Sequence, residues 1–440
     1  MKNKFLIKLY IPININMKNQ TQKYKSRNKI KKPKYSKKQN YTNHQIGGEK
    51  IGQGGFGCVL KPYVKCLNTK NIPANAVSKI TYVMPGYETD YQDELQILKY
   101  IRNIDPTQIY FISLVDECEL DISKVLKRQP KDTISVEYKD DDLNEYYINS
   151  SEPKYIQLAS HKAIYKKFCL IDSNLEPRNQ IQLFGGYSLN EITPTSHADI
   201  FRQIIKNYRR LIIHILKGLQ ILHKNRIAHR DIKEFNFLGA IQDNKPIIRY
   251  IDFGLSQIIN PNENEGGIRN FHYAGSPGYI PFEFVLLHYM SDFIANYGYS
   301  ALNNSFYKSE ILKKTKKNYD DKYSKFFGEI HLEQSIIGST PTKGIRNKSF
   351  FDMKYLAQLY DQLLNSLREQ NLHKLLKADT NGLLYKGDIF GLGITLGFIR
   401  IHFGLTHDDK LTNLISHMVK LEPNKRYNIN ECLSHPFCKI

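Results

Sequence analysis

A chain of 440 residues, 41% of them apolar, can bury a substantial core and form two or three domains. Its six cysteines (Cys58, Cys66, Cys118, Cys169, Cys432 and Cys438) contain no Cys-x-x-Cys pair, which argues against a zinc site or a disulfide framework and for a reducing, intracellular compartment rather than secretion. No apolar run approaches the roughly 18 residues needed to cross a bilayer, and the stretch Phe5 to Ile15, broken by Lys8 and Pro12 and without a small-residue cleavage site, reads as neither signal peptide nor anchor.

The net charge of +20 is unevenly placed, because residues 1–45 carry thirteen Lys or Arg and no Asp or Glu. Such a tail is expected to be disordered. It either binds a polyanion or acidic partner, such as nucleic acid, an acidic protein or an anionic membrane surface, or serves only as a solubilising extension.

Next come Ile51-Gly52-Gln53-Gly54-Gly55-Phe56-Gly57-Cys58-Val59. Without Cβ atoms this backbone can fold over phosphates and offer them its N–H groups. A dinucleotide site or a plain turn could carry the same glycines, but Val59 and Leu60 continue as a strand, where the dinucleotide motif would open a helix. Lys79 follows in the apolar strand Ala76-Val77-Ser78-Lys79-Ile80. From Tyr91, the spacing of Leu95, Leu98 and Ile101 predicts a helix. Glu94 lies next to its apolar stripe, with Asp93 and Glu88 as competing carboxylates.

The acid-, Tyr- and Asn-rich stretch around residues 129–166 reads as an insertion, after which Ile181-Gln182-Leu183-Phe184 is strand-like again. Then come His229-Arg230-Asp231-Ile232-Lys233-Glu234-Phe235-Asn236 and Asp252-Phe253-Gly254. Two carboxylates and an amide this close suit phosphoryl transfer: Asn236 and Asp252 offer hard oxygens to Mg²⁺, Asp231 can accept a hydroxyl proton, and Lys233 can neutralise charge on the moving phosphate.

These residues, in this order, resemble the motifs of eukaryotic-type serine/threonine protein kinases. The resemblance covers about residues 46–437 apart from two insertions. It implies an α+β, two-lobed protein kinase fold with a small β-rich N-lobe containing a helix (about 46–184) and a larger, mainly helical C-lobe (about 185–437). It also implies ATP with Mg²⁺ (or Mn²⁺) as cofactors and proteins as substrates. Asp231, Lys233 and Asn236 would be catalytic, and Asn236 and Asp252 would hold the metal. Ile51, Gly52, Gly54, Gly55, Phe56, Gly57, Val59, Lys79 and Glu94 would hold the nucleotide, with Lys79 on its phosphates and paired to Glu94. The adenine would meet backbone near Gln182 to Gly185.

Further along, Gly275-Ser276-Pro277-Gly278-Tyr279-Ile280-Pro281-Phe282-Glu283 resembles the end of the segment that positions the substrate, with Pro-Phe-Glu where the family usually has Ala-Pro-Glu. Asp388-Ile389-Phe390-Gly391 resembles the start of the helix that braces the catalytic loop, with Phe and Gly replacing Trp and Ser, and Arg426 should pair with buried Glu283. Lys233 and Ser276 imply the serine/threonine class. A second insertion, about 285–385, is expected to contain an amphipathic helix from Phe351 to Leu367 and a loop from Lys308 to Lys348, serving either to dock a partner or as a surface expansion.

Between Gln257 and Gly275 there is no Ser or Thr, so Glu263 and Glu265 would supply fixed negative charge for Arg230 in place of phosphorylation. A looser likeness, on Gly55 to Val59, Lys61-Pro62, Cys66 and Ile104-Asp105-Pro106, is to kinases of large DNA viruses, which would add the virion to the possible locations. A pseudokinase scaffold, binding partners through its tail and insertions, is the other reading of the same chain.

Overall fold

A computed structural model describes residues 49–54, 57–64, 72–83, 88–119, 176–259, 274–276, 278–330, 353–368, 382–405 and 408–439. The basic tail, the insertion around 129–166 and the stretch carrying Glu263 and Glu265 lie outside the described residues. The chain divides into two compact units: Met1–Tyr82 with Glu117–Ile181, and Val83–Asp116 with Gln182–Ile440.

The small unit is built on strands. β1 (Glu49–Gly54), β2 (Gly57–Lys61), β3 (Ala76–Val83), β4 (Leu114–Glu119) and β5 (Glu176–Leu183) form one sheet in the order β1-β2-β3-β5-β4. β1 and β2 pair antiparallel, with Gly54 opposite Gly57 and Gly52 opposite Val59. Gly57 has to be a glycine, since a Cβ there would fall 1.9 Å from the Ile80 carbonyl of β3. Alternation along β2 buries Cys58 and Leu60, which join Val64 and Ile80 in a small core. The Val64 N–H donates to Ser78 Oγ at 2.8 Å, and Asn179 Nδ2 donates to the Val64 carbonyl at 3.2 Å.

Cys58 and Cys118 are each in a disulfide, which corrects the sequence expectation and removes the basis for assigning a reducing compartment. Disulfides follow from which Cβ atoms the fold brings within about 4 Å, and linear spacing does not show that. Cys432 and Cys438 are free thiols.

The large unit has one continuous apolar core. α1 (Glu88–Ile104) buries Leu95, Leu98 and Ile101, the predicted stripe, and α2 (Ala198–Lys224) buries Leu211, Ile215, Leu219 and Leu222. β6 (Tyr187–Ser188), β8 (Phe237–Gln242) and β9 (Lys245–Tyr250) form a second sheet, while β7 (Ile227–Ala228) pairs with β10 (Gln257–Ile258). The remainder is helical: α3 (Phe282–Tyr297), α4 (Ser305–Ile330), α5 (Met353–Arg368), α6 (Leu383–His402), α7 (Asp409–Met418) and α8 (Ile429–Ser434). The expected α+β class, a β-rich part and a mainly helical part, is present. Among the described residues, no helix is long and apolar enough to cross a membrane.

α5 forms where the amphipathic helix was expected, and Leu356, Leu359, Leu363 and Leu364 are all buried. The loop expected over Lys308 to Lys348 is not found where the chain is described: α4 runs through Ile330. Lysine is a good helix former, Ile311, Leu312 and Thr315 are buried at helical spacing, and the helix packs against α3. Residues of α3, α4 and α5 belong to the core of the large unit.

Candidate active site

The stretch from His229 to Asn236 is held from below by one carboxylate. Asp388, near the start of α6, accepts from the His229 N–H at 2.8 Å and the Arg230 N–H at 2.7 Å, and contacts His223 Nε2 at 3.1 Å. Arg230 takes a positive φ of 66°, a strained conformation that these two charge-assisted bonds help to hold. Gly391 lets α6 come close: a Cβ there would lie 3.1 Å from the Ile232 carbonyl and 3.3 Å from that of Tyr279.

Asp231 is 3% exposed. Its Oδ2 accepts from Lys233 Nζ at 2.8 Å and from Asn236 Nδ2 at 3.1 Å, and Asn236 Nδ2 also donates to the Asp231 carbonyl at 2.8 Å. Oδ1 of the same carboxylate is buried with no hydrogen-bond partner. A buried acceptor without a donor is costly. Lys233 Nζ donates in addition to Ser276 Oγ at 2.6 Å, tying the loop to the 275–283 segment.

Asn236 and Asp252 stand on adjoining backbone, because the Ile251 N–H donates to the Asn236 carbonyl at 3.0 Å. Asp252 has φ 63° and an exposed side chain. With its amide nitrogen committed to Asp231, Asn236 keeps Oδ1 for a cation. Among the described residues there is no cluster of three or more His, Cys, Asp or Glu side chains that could hold a metal by itself. Asn236 and Asp252 are oxygen donors that could hold a divalent cation whose shell is completed by phosphate and water.

Of the helix carboxylates, Glu94 is buried on α1 while Asp93 and Glu88 are exposed. The Glu94 carboxylate faces the Asp252-Phe253-Gly254 turn: a Cβ at Gly254 would lie 3.6 Å from Glu94 Oε2 and 3.7 Å from Asp252 Oδ1. Lys79 lies on β3 of the small unit, opposite Val59 of β2. Ile51, Gly52 and Gly54 are on β1, and Gly57 and Val59 on β2; Gly55 and Phe56 lie outside the described residues. β5 ends at Leu183, and a Cβ at buried Gly185 would strike the side chains of Ile112 and Leu238.

The pair expected between Glu283 and Arg426 is present and fully buried, with Nη1 to Oε1 at 2.7 Å and Nη2 to Oε2 at 3.3 Å. Arg426 also donates to the carbonyls of Lys386, Lys420 and Leu421. Arg230 donates from Nη1 to Gln257 Oε1 at 3.3 Å. Burial of its guanidinium lowers the Arg230 pKa to about 10 despite the opposing pull of Asp388.

A second tie between the loop and the 275–283 segment gives no sequence signal: the Tyr279 hydroxyl donates to Glu234 Oε2 at 2.5 Å. Burial raises the pKa of Glu234, with the Tyr279 bond opposing, and burial beside Glu234 raises that of Tyr279. The two residues are 45 positions apart, with no shared spacing or motif.

A family model described as "Protein kinase domain" matches residues 133–438. That range takes in Asp231, Asn236, Asp252, Glu283 and Arg426 but begins after the glycine-rich segment and Lys79. A protein kinase and PP2C-like domain-containing protein of Arabidopsis thaliana is 29% identical over 168 residues, covering 38% of this chain and 23% of that protein. A probable serine/threonine-protein kinase of Dictyostelium discoideum is 30% identical over 157 residues, covering 35% and 22%. A serine/threonine-protein kinase of Nostoc is 36% identical over 80 residues, covering 17% and 13%. The matched part is thus less than a quarter of the length of each of these relatives.

Proposed function

The chain belongs to the protein kinase domain family, and from that premise we propose that it is a serine/threonine protein kinase transferring the γ-phosphate of ATP to Ser and Thr hydroxyls of proteins. The observation that carries this reading is the Asp231 carboxylate, with one oxygen held by Lys233 and Asn236 and the other buried and unpartnered. An acceptor hydroxyl bonded to the Asp231 carboxylate would be oriented by that bond and would lose its proton there as the new phosphorus–oxygen bond forms and the γ-phosphorus–oxygen bond to the departing ADP breaks. Lys233, between Asp231 and Ser276, would place positive charge beside the moving phosphoryl group. Asn236 and Asp252 would hold Mg²⁺, which when bound neutralises charge on the phosphate oxygens.

In the small unit, Gly52, Gly54, Gly55, Gly57 and Lys79 would hold the nucleotide phosphates, and Ile51, Phe56 and Val59 would also contact the nucleotide. Glu94 would take the role of the helix glutamate. The relatives named as serine/threonine kinases, together with Lys233 and Ser276, support the substrate class. The likeness to kinases of large DNA viruses and a polyanion or acidic partner for the basic tail belong to the same proposal. Deleting residues 1–45 should abolish salt-sensitive binding to DNA.

Incubation of the full chain with labelled ATP and basic and acidic model proteins, with and without Mg²⁺, tests the reading. Mg²⁺-dependent label on Ser and Thr is expected. Nucleotide binding without transfer would instead support a scaffold, and label on Tyr alone would overturn the substrate class.

A further inference from the structure

The chain reverses between α3 and α4, and the reversal gathers four aromatic rings. Gly298 ends α3 with a φ of 78°, a left-handed conformation that favours glycine, and a short turn from Tyr299 to Asn303 leads into α4. At the start of that helix Asn304 Oδ1 accepts from the Phe306 N–H at 2.8 Å. Tyr307 then stacks on Tyr297, with centroids 5.0 Å apart and planes inclined by 21°, and meets Phe306 edge-on at 5.7 Å. Phe293, the buried member of the group, lies 5.5 Å from Tyr297 and 5.7 Å from Tyr307. The outer two rings stand in water: Tyr297 is 57% exposed and Phe306 66%.

The same helix is basic. From Ser305 to Lys317 it carries Lys308, Lys313, Lys314, Lys316 and Lys317 against one acid, Glu310. At 3.6 residues per turn, Phe306, Lys313 and Lys317 fall on one exposed face, opposite the buried Ile311, Leu312 and Thr315. Glu310 shares that face and lies 3.6 Å from Lys313, an exposed pair that leaves the face net positive. Lys314 Nζ sits 5.0 Å over the Phe293 ring, which adds a cation to the aromatic group itself. Two contacts with α5 hold the corner in place: Lys308 pairs with Asp361 at 2.6 Å, and the Tyr360 hydroxyl donates to the Leu302 carbonyl at 2.8 Å. The rings and cations are therefore set before any partner arrives, which lowers the ordering cost of binding.

We propose that this corner of the large unit is a docking site for an acidic polypeptide segment that carries an aromatic or aliphatic side chain close to its acids. The apolar side chain would lie against Tyr297 and Phe306, and the acids would meet Lys313 and Lys317. Helical rise sets the spacing: Lys313 and Lys317 lie about 10 and 16 Å along the axis from Phe306, at about 1.5 Å per residue. An extended partner covers that distance in about three to five residues, at about 3.3 Å per residue. Two features favour a polypeptide over nucleic acid. Phe306 and Tyr307 are inclined by 66°, so the rings suit the enclosure of a side chain better than the extension of a stack of bases. Glu310 lies within the basic face, where discrete acids can avoid it and a strand charged at every nucleotide cannot. The site stands apart from the kinase reading, since none of these residues belongs to the groups around Asp231.

Fluorescence anisotropy with the full chain tests the site, using labelled peptides with one Phe, Glu about three to five residues away on either side, and Ser and Gly elsewhere. Binding that weakens about tenfold when the peptide's Phe is replaced by Ala is expected, the effect of losing one aromatic anchor. Phe306→Ala and Tyr297→Ala should each weaken it to a similar extent. Lys313→Glu combined with Lys317→Glu should abolish binding, and replacing the peptide's Glu by Lys should restore it in that variant alone. All four side chains are exposed, and an unaltered thermal midpoint would show that the variants fold. Binding that no substitution alters, no binding of any of these peptides, or ring- and lysine-dependent binding of oligothymidylate in their place would overturn the proposal. Each of those results leaves the kinase reading standing, because transfer from ATP is measured separately.

Discussion

The loop from His229 to Asn236 and the helices α3, α4 and α5 are both parts of the large unit, and they are held in different ways. The loop depends on polar groups: Asp388 under two backbone N–H groups, Asn236 and Lys233 on one carboxylate oxygen, Tyr279 on Glu234. The helices depend on apolar burial, with Val285, Met290, Ile311, Leu356 and Tyr360 in a common core. Hydrogen bonds demand particular atoms at particular distances, whereas apolar packing demands only volume and spacing. Substitutions in the loop should therefore cost activity out of proportion to stability, and those in the helices the reverse.

The Glu283–Arg426 pair joins α3 to the loop before α8 and should give the largest effect. Arg426→Ala leaves a buried carboxylate unpaired, an expected loss of about 3–5 kcal/mol measured by chemical denaturation. Leu356→Ala, a cavity in the helical core, should cost about 2–5 kcal/mol while the folded fraction keeps its transfer rate. A folded but inactive Leu356→Ala would break the contrast. Tyr279→Phe keeps the ring and removes the donor to Glu234, so a loss of about 1–3 kcal/mol is expected, with a fall in kcat and little change in the KM for ATP.

The smallest effect depends on pH. An ordinary glutamate titrates near about pH 4.3, and burial raises the pKa of Glu234 in the folded chain. Between the two values the folded state holds more protons than the unfolded one, so stability falls as pH rises through that window and stays lower above it. Glu234→Gln keeps an oxygen for the Tyr279 hydroxyl and cannot ionise. Its stability relative to the unmodified protein should therefore rise from below about pH 4 and level off above the window. A relative stability independent of pH would count against the buried charge.

What the sequence revealed follows the same division. Asp231, Asn236, Asp388, Glu283 and Arg426 were recognisable because polar roles fix residue identity, and the structure places the first three in one hydrogen-bonded group and the last two in a buried pair. α5 was legible from four leucines at helical spacing. α4 was not, because its Lys, Asn and Tyr hide a narrow stripe made by Ile311, Leu312 and Thr315. The disulfides of Cys58 and Cys118 and the Tyr279–Glu234 bond were hidden for a common reason, since each depends on proximity that the folded backbone creates.

The central claim is that the Asp231 carboxylate receives the substrate proton. Asp231→Asn keeps the shape and removes the charge. Comparison of its single-turnover transfer rate and its nucleotide affinity with those of the unmodified chain tests the claim directly. The account predicts a fall in transfer of about a hundredfold or more with nucleotide affinity retained. Transfer at the unmodified rate would contradict it.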